Sequence, residues 1–405
     1  MDSGHTAWVL VASALVFLMT PGLAFFYGGL VRAKNLVNTI MLSFMSIAVV
    51  SIIWVLWGYT LAFTDGGSLQ VFIGGLTEFG LSGIAVEAGE GYSTLAFVAF
   101  QMMFAIITPA LITGALVERF KISTYLIFLL FWITLVYVPI CHWVWGGGWL
   151  SDLGALDFAG GTVIHINAGI AAVAAAFLLG KRRNPGRQPN NVPYVVLGAA
   201  ILWFGWFGFN AGSQLAADGI ASSAFLVTNT AAATAALTWG IVSQIKNGKM
   251  GAVGVATGAV AGLVAITPAA GFVGIYGALA IGVGAGVFCF FAVDLINSTG
   301  LDDALDVFAV HGIGGIWGAI ATGIFAVSAI GNNPGGLIEG NISQLGIQVV
   351  AVLATLVYSG IVTLVILKIL DLIPGLGLRA EEAHENVGLD ISHHGEQASV
   401  DDGAD

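Results

Sequence analysis

The sequence predicts an all-α polytopic membrane protein of about eleven transmembrane helices, and three observations carry that reading. Hydrophobic residues make up 58% of the 405 positions against 9% charged, far from the balance of a soluble domain. The apolar residues gather in runs long enough to span roughly 30 Å of hydrocarbon. The 12 Lys and Arg residues sit only at or after the ends of alternate runs, which is the positive-inside pattern.

In order, the runs lie near 7 to 30, 37 to 63, 93 to 117, 122 to 142, 161 to 180, 193 to 211, 222 to 244, 251 to 269, 271 to 294, 304 to 330 and 344 to 373. Hydropathy barely breaks between 251 and 294, where Thr267 and Pro268 offer the only turn. Charge parity settles the count. The chain must return to the basic side between Lys249 and Arg379, so it crosses an even number of times, which requires two helices in that stretch. The basic side is then cytoplasmic, the N terminus outside and the tail inside a cell membrane. Residues 1 to 5, MDSGH, lack the basic region of a cleavable signal.

The 57 glycines, about twice the usual share of roughly 7%, suit helices packed through small residues. Cys141 and Cys289 both lie in apolar runs and read as buried small side chains, so neither a disulfide, a metal nor a cofactor is expected. The net charge of −11 argues against nucleic acid as a partner. The loops opposite the basic residues carry Asp65, Glu78, Glu87, Glu90, Asp152, Asp157, Asp218 and Glu339 without a single Lys or Arg. Such a face raises the local concentration of cations. Residues 1–373 form the membrane domain. Pro374 and Gly375 end the last helix, and 374–405 is an acidic, His-containing cytoplasmic tail suited to regulation or docking.

Two segments stand apart. In 157 to 167, DFAGGTVIHIN, and in 303 to 311, DALDVFAVH, an Asp precedes a His by eight residues and the His enters a long Gly/Ala-rich helix. An intramembrane histidine is costly and is a functional hypothesis by default. A single one can simply hold two helices together; a matched pair points to one shared site. His165 enters from the outer side and His311 from the inner. Eight helical residues rise roughly 12 Å, so both approach the midplane. That antisymmetry is the signature of an inverted-topology repeat, helices one to five matching six to ten with an extra eleventh. Asp157 and Asp303 also suit helix N-caps.

Trp143, Trp145 and Trp149 fall at the outer membrane edge, where interfacial Trp is expected. Phe100 and Phe104 are one helical turn apart, Gln101 lies beside Phe100, and Phe209 shortly precedes Ser213. On spacing alone these phenylalanines read as packing.

Taken together, several motifs make the chain resemble the ammonium transporter family, with its methylammonium-permease and Rhesus relatives. They are TPGLAFFYGGLVRAKN (20 to 35), GALVERF (114 to 120), WGGG (145 to 148), DFAGGTVIHINAG (157 to 169), WFGFNAGS (206 to 213), DDALDVFAVHGIGGIWGA (302 to 319) and GLDISHHGEQ (388 to 397). The resemblance implies an eleven-helix fold with an inverted five-helix repeat, assembled as a homotrimer with one pore per subunit. It implies an outer ammonium site at Trp145, Phe104 and Ser213 supported by Asp157, a phenyl gate at Phe104 and Phe209, and pore histidines at His165 and His311. Phe100 and Gln101 match supporting vestibule positions. It also implies a PII-type signalling protein as cytoplasmic partner, contacting the GLDIS segment and the basic loops.

The expected activity is ammonium uptake by a transporter rather than an enzyme: the cation is bound outside, deprotonated, and passed as ammonia through an apolar pore. A neutral ammonia channel and an ammonium sensor are the alternatives. An intramembrane hydrolase using Ser213 and a His is disfavoured, because the serine lies near the outer surface and the histidines deeper.

Overall fold

A computed structural model describes residues 1–185 and 188–398. Among these residues ten helices are long and apolar enough to cross a membrane: α1 (Ser3–Leu30), α2 (Ala33–Phe63), α3 (Thr94–Leu116), α4 (Ile122–Leu153), α5 (Gly161–Leu179), α6 (Val192–Gly212), α7 (Gly219–Asn247), α9 (Ile275–Thr299), α10 (Phe308–Phe325) and α11 (Ile342–Leu372). Between α7 and α9 lies the shorter apolar α8 (Ala252–Ile266). Every expected run holds one helix. The stretch 251 to 294 divides as charge parity requires, and Thr267 and Pro268 open the turn between α8 and α9.

The helix ends follow local chemistry. Asp2, Asn191, Asp218 and Asn341 each accept a hydrogen bond from a first-turn backbone N–H, filling donors that a helix leaves unpaired. Gly248 and Gly300 close α7 and α9 at φ of 73° and 77°, a left-handed geometry that disfavours a Cβ. Several boundaries differ from expectation by about a turn, and two of them have a clear local cause. The fourth run was bounded at 142, yet the helix continues through Trp145, breaks at the glycines 146 to 148 and resumes at Trp149–Leu153. The tenth starts at Phe308 rather than 304, because Asp306 takes a left-handed φ of 57° and interrupts the helical path.

Packing brings corresponding helices of the two halves together. α1 lies along α6, α5 lies beside α10, and α11 packs across both α5 and α10. These pairings are the ones an inverted five-helix repeat with one additional helix generates. Leu237, Leu295, Leu353 and Ile361 remain exposed on outward helix faces, a surface that only hydrocarbon or another apolar face solvates well.

At the basic face a charge network ties four connections together. Arg32 Nε lies 3.1 Å from Glu118, Glu118 is 3.4 Å from Arg182, and Asp302 is shared by Arg182 at 3.0 Å and the buried Arg119 at 2.6 Å. The tail docks onto this face. Ala380 N donates to Arg119 O at 2.7 Å and Lys121 N to Leu378 O at 3.0 Å. The carboxylate of Asp390 accepts from Val37 N and Asn38 N at 3.1 and 2.8 Å, capping α2. Arg379 and Glu385 pair inside the tail. A wholly disordered end therefore does not describe 374 to 398, while the remainder of the acidic tail lies outside the described residues.

Burial pushes the Asp302 carboxyl up, but hydrogen bonds from the Arg182 side chain and backbone, with the charges of Arg182 and Arg119, outweigh it and hold the carboxyl below its ordinary value. A carboxyl depressed in the folded state stabilises above its unfolded value and loses that contribution as pH falls through the folded one. Asp302→Asn is therefore expected to cost about 2 kcal/mol at neutral pH. The gap to wild type should close as pH drops below about 3.9. Thermal unfolding of the purified protein in detergent reads this out, and a gap undiminished in acid would count against the ion pairs.

Candidate functional site

The two Asp-to-His segments do not run as helix throughout. The Asp157 carboxylate accepts from Gly160 N and Gly161 N at 2.8 and 2.6 Å, from Thr162 N and Val163 N at 2.8 and 3.2 Å, and from the Thr162 hydroxyl. The side chain caps the first turn from three residues before the N-cap position, Gly160, and α5 begins only at Gly161, with a π-helical turn over Gly161–Ile166. Asp303 Oδ2 likewise accepts from Phe308 N at 2.7 Å, and α10 opens with a π-helical turn over Phe308–Gly312. The expected rise of eight helical residues is thus corrected to about one turn. The depth of each His comes mainly from the irregular segment before its helix, which the capping carboxylate holds. A π turn widens the helix and commonly marks functional sites.

His165 and His311 nevertheless meet, in agreement with convergence at one site. Their Nδ1 atoms are 3.2 Å apart, with ring centroids at 5.3 Å and planes 21° from parallel. Both rings are buried. The approach depends on two glycines where α5 crosses the start of α10: a Cβ on Gly169 would stand 2.5 Å from Gly312 Cα. A contact between two ring nitrogens is a hydrogen bond only when one donates and the other accepts, so the pair shares one proton across that contact. Trp206 stacks on His165 at 5.4 Å and 18°, and Phe209 at 5.9 Å and 25°.

Above the histidines the aromatic residues form a continuous column. Phe209 lies against Phe104 with centroids 4.4 Å apart, Phe104 meets Trp145 edge-on at 6.1 Å and 88°, and Phe100 supports Phe104 at 4.7 Å. Trp145 Nε1 donates to Asp157 O at 2.8 Å, which links the Trp to the cap of α5. A cavity of about 390 Å³ opens over this column, with Trp145, Gln101 and Ser213 in its wall beside Tyr92, Phe97 and Leu215. Ser213 Oγ donates to Phe209 O at 2.8 Å, so its proton is committed and its lone pairs can accept from an N–H donor in the cavity. Gln101 Oε1 makes no hydrogen bond within the protein.

The structure therefore brings Trp145, Phe104, Phe209, His165 and His311 into one line, with Ser213 and Gln101 at its outer end. Phe100 stands behind Phe104, and the Asp157 carboxylate is spent on the cap, leaving its backbone oxygen as the contact with the column. Phe209 lies between Ser213 and His165, so no serine–histidine couple forms. Sequence reasoning missed Trp206, although it sits one helical turn before Phe209 in WFGF, and the cavity wall residues Tyr92, Phe97 and Leu215. Among the described residues no three His, Cys, Asp or Glu side chains converge as metal ligands.

The tight crossing gives a direct test. Gly169→Ala forces backbone displacement at the histidine pair, with an overpacking cost of about 1–3 kcal/mol. Gly346→Ala in α11 meets open space and should leave stability within about 0.5 kcal/mol of wild type or better. Thermal midpoints of the two variants should separate accordingly; equal midpoints would deny the crossing its importance.

Comparison with known proteins identifies the family. A family model described as Ammonium Transporter Family matches residues 7–399. The ammonium transporter of Bacillus subtilis (strain 168) is 50% identical over 408 residues, covering 99% of this chain and 100% of that protein. Ammonium transporter Amt1 of Archaeoglobus fulgidus is 47% identical over 401 residues, covering 98% and 100%. Among solved structures, Saccharomyces cerevisiae Mep2 superposes with a TM-score of 0.89 at 38% identity, over 95% of this chain and 88% of that one. A sensor Amt protein gives 0.89 at 31% identity, over 96% and 98%. With a family match that runs nearly from end to end and relatives of about its own length, this chain belongs to the ammonium transporter family.

Proposed function

We propose that the protein takes up ammonium, binding the cation in the outer cavity and conducting ammonia past the phenyl pair to the twin histidines. The observation that carries this reading is the unbroken column from Trp145 through Phe104 and Phe209 to His165 and His311. Moving an isolated ion into hydrocarbon costs tens of kcal/mol, so the cation must stop where polar groups end. Trp145 and Phe104 offer ring faces worth about 0.5–2 kcal/mol to a cation, and Ser213 accepts from its N–H. Potassium cannot donate that hydrogen bond.

Below Phe104 the walls are apolar and the amine is the species that fits. The imidazole pair then supplies a donor and an acceptor in contact, able to pass a proton as the amine moves. In this reading 1–373 is the transport domain, the basic face is cytoplasmic, the N terminus is outside and the tail 374–405 is regulatory. A homotrimer, and a PII-type partner at the basic loops and GLDIS segment, complete it. The likeness to a sensor Amt protein supports signalling as a second reading, with the docked tail as its reporter.

The test is ammonium-evoked current from proteoliposomes on a solid-supported membrane. Wild type should give a current that His165→Ala and His311→Ala abolish. Trp145→Leu should raise the half-saturation concentration about tenfold. Absence of current alongside an amine-driven pH change would make the protein a neutral ammonia channel; neither signal would favour the sensor.

A further inference from the structure

We propose that His142 and Gln70 form a polar anchor that positions Trp145. The proposal rests on Trp145 being the recognition residue.

The geometry begins at the break in α4. Directly after Trp145 the chain folds back, and Gly146 N and Gly148 N both donate to His142 O at 3.0 Å. The Gln70 amide reaches across from the loop after α2 and donates to Gly146 O and Gly147 O, each at 3.1 Å, while its Oε1 accepts from Gly66 N at 2.7 Å. All of its hydrogen-bonding capacity in this direction serves the turn that carries Trp145. The approach is close: a Cβ on Gly146 would fall 1.9 Å from Ala62 O.

The His142 ring closes the same assembly from inside. It is fully buried, with Nδ1 2.8 Å from Ala62 O and Nε2 2.6 Å from Gln70 O. The two contacts hold the ring between the end of α2 and the loop that follows it, while the peptide oxygen of His142 receives both N–H groups of the turn after Trp145, so ring and turn are fixed as one unit.

When the ring no longer reaches both oxygens, the loop and Trp145 loosen together, and affinity falls while the histidine pair below is untouched. The experiment is ¹⁵N-ammonium uptake into proteoliposomes at one fixed pH, with empty vesicles subtracted and half-saturation read separately from maximal rate. His142→Gln, whose amide cannot span both carbonyls, should raise half-saturation about fivefold with the maximal rate kept.

Gln70→Ala, in the exposed loop, should raise half-saturation severalfold while keeping the maximal rate, and this variant decides the matter if the buried substitution does not fold. Unchanged half-saturation in Gln70→Ala, or a loss of maximal rate at unchanged half-saturation, overturns the anchor. Trp145→Leu, run beside them, separates the two readings. Unchanged affinity in Trp145→Leu overturns the recognition site and the anchor with it; raised affinity constants in Trp145→Leu but not in Gln70→Ala or His142→Gln overturn the anchor alone.

Discussion

The structure depends on one close crossing. Where Gly169 of α5 meets Gly312 of α10, a Cβ on Gly169 would fall on the opposing backbone, and this proximity lets two imidazoles touch inside an apolar helix bundle. Unpaired polar groups are costly in such surroundings. By bonding to each other the rings satisfy one nitrogen apiece, and Trp206 and Phe209 cover a face of His165. The packing of α11 over both α5 and α10 holds the crossing.

From that point outward the environment changes in steps. Apolar rings give way to a cavity with a hydroxyl and an amide in its wall, and that cavity opens toward a face whose loops carry carboxylates and no Lys or Arg. In the proposed function a cation is attracted toward the cavity and stopped at the phenyl pair by the same physics, since each step inward removes solvation. The opposite face is organised by charge of both signs. There, buried Arg119 and half-buried Arg182 share Asp302, and the tail lies against the connections that this network joins.

Much of this was legible beforehand. The spans, their number and the division near Thr267 and Pro268 follow from hydropathy and charge parity. Asp157 and Asp303 were readable as caps, and the matched histidines as one site. The helix starts were not, because π turns at Gly161–Ile166 and Phe308–Gly312 arise from how the capped loops deliver the chain into the bundle, which no local pattern encodes. Nor did spacing distinguish Phe104 and Phe209, which form the column, from phenylalanines that merely pack; that assignment came from family resemblance. His142 sat unremarked among tryptophans, since nothing in CHWVW tells that two carbonyls converge on its ring.

What the sequence by itself determined is what local chemistry controls: which segments enter the membrane, which side each loop prefers, and where helices begin with a capping side chain. These depend on transfer free energies and charge, properties each segment carries alone. Tertiary structure alone decided which groups touch. His165 and His311 are 146 residues apart in the chain, and His142 meets carbonyls 72 and 80 residues earlier. Such contacts exist only because small residues let distant backbones approach to within a side chain's reach, and that approach is a property of the packed bundle as a whole.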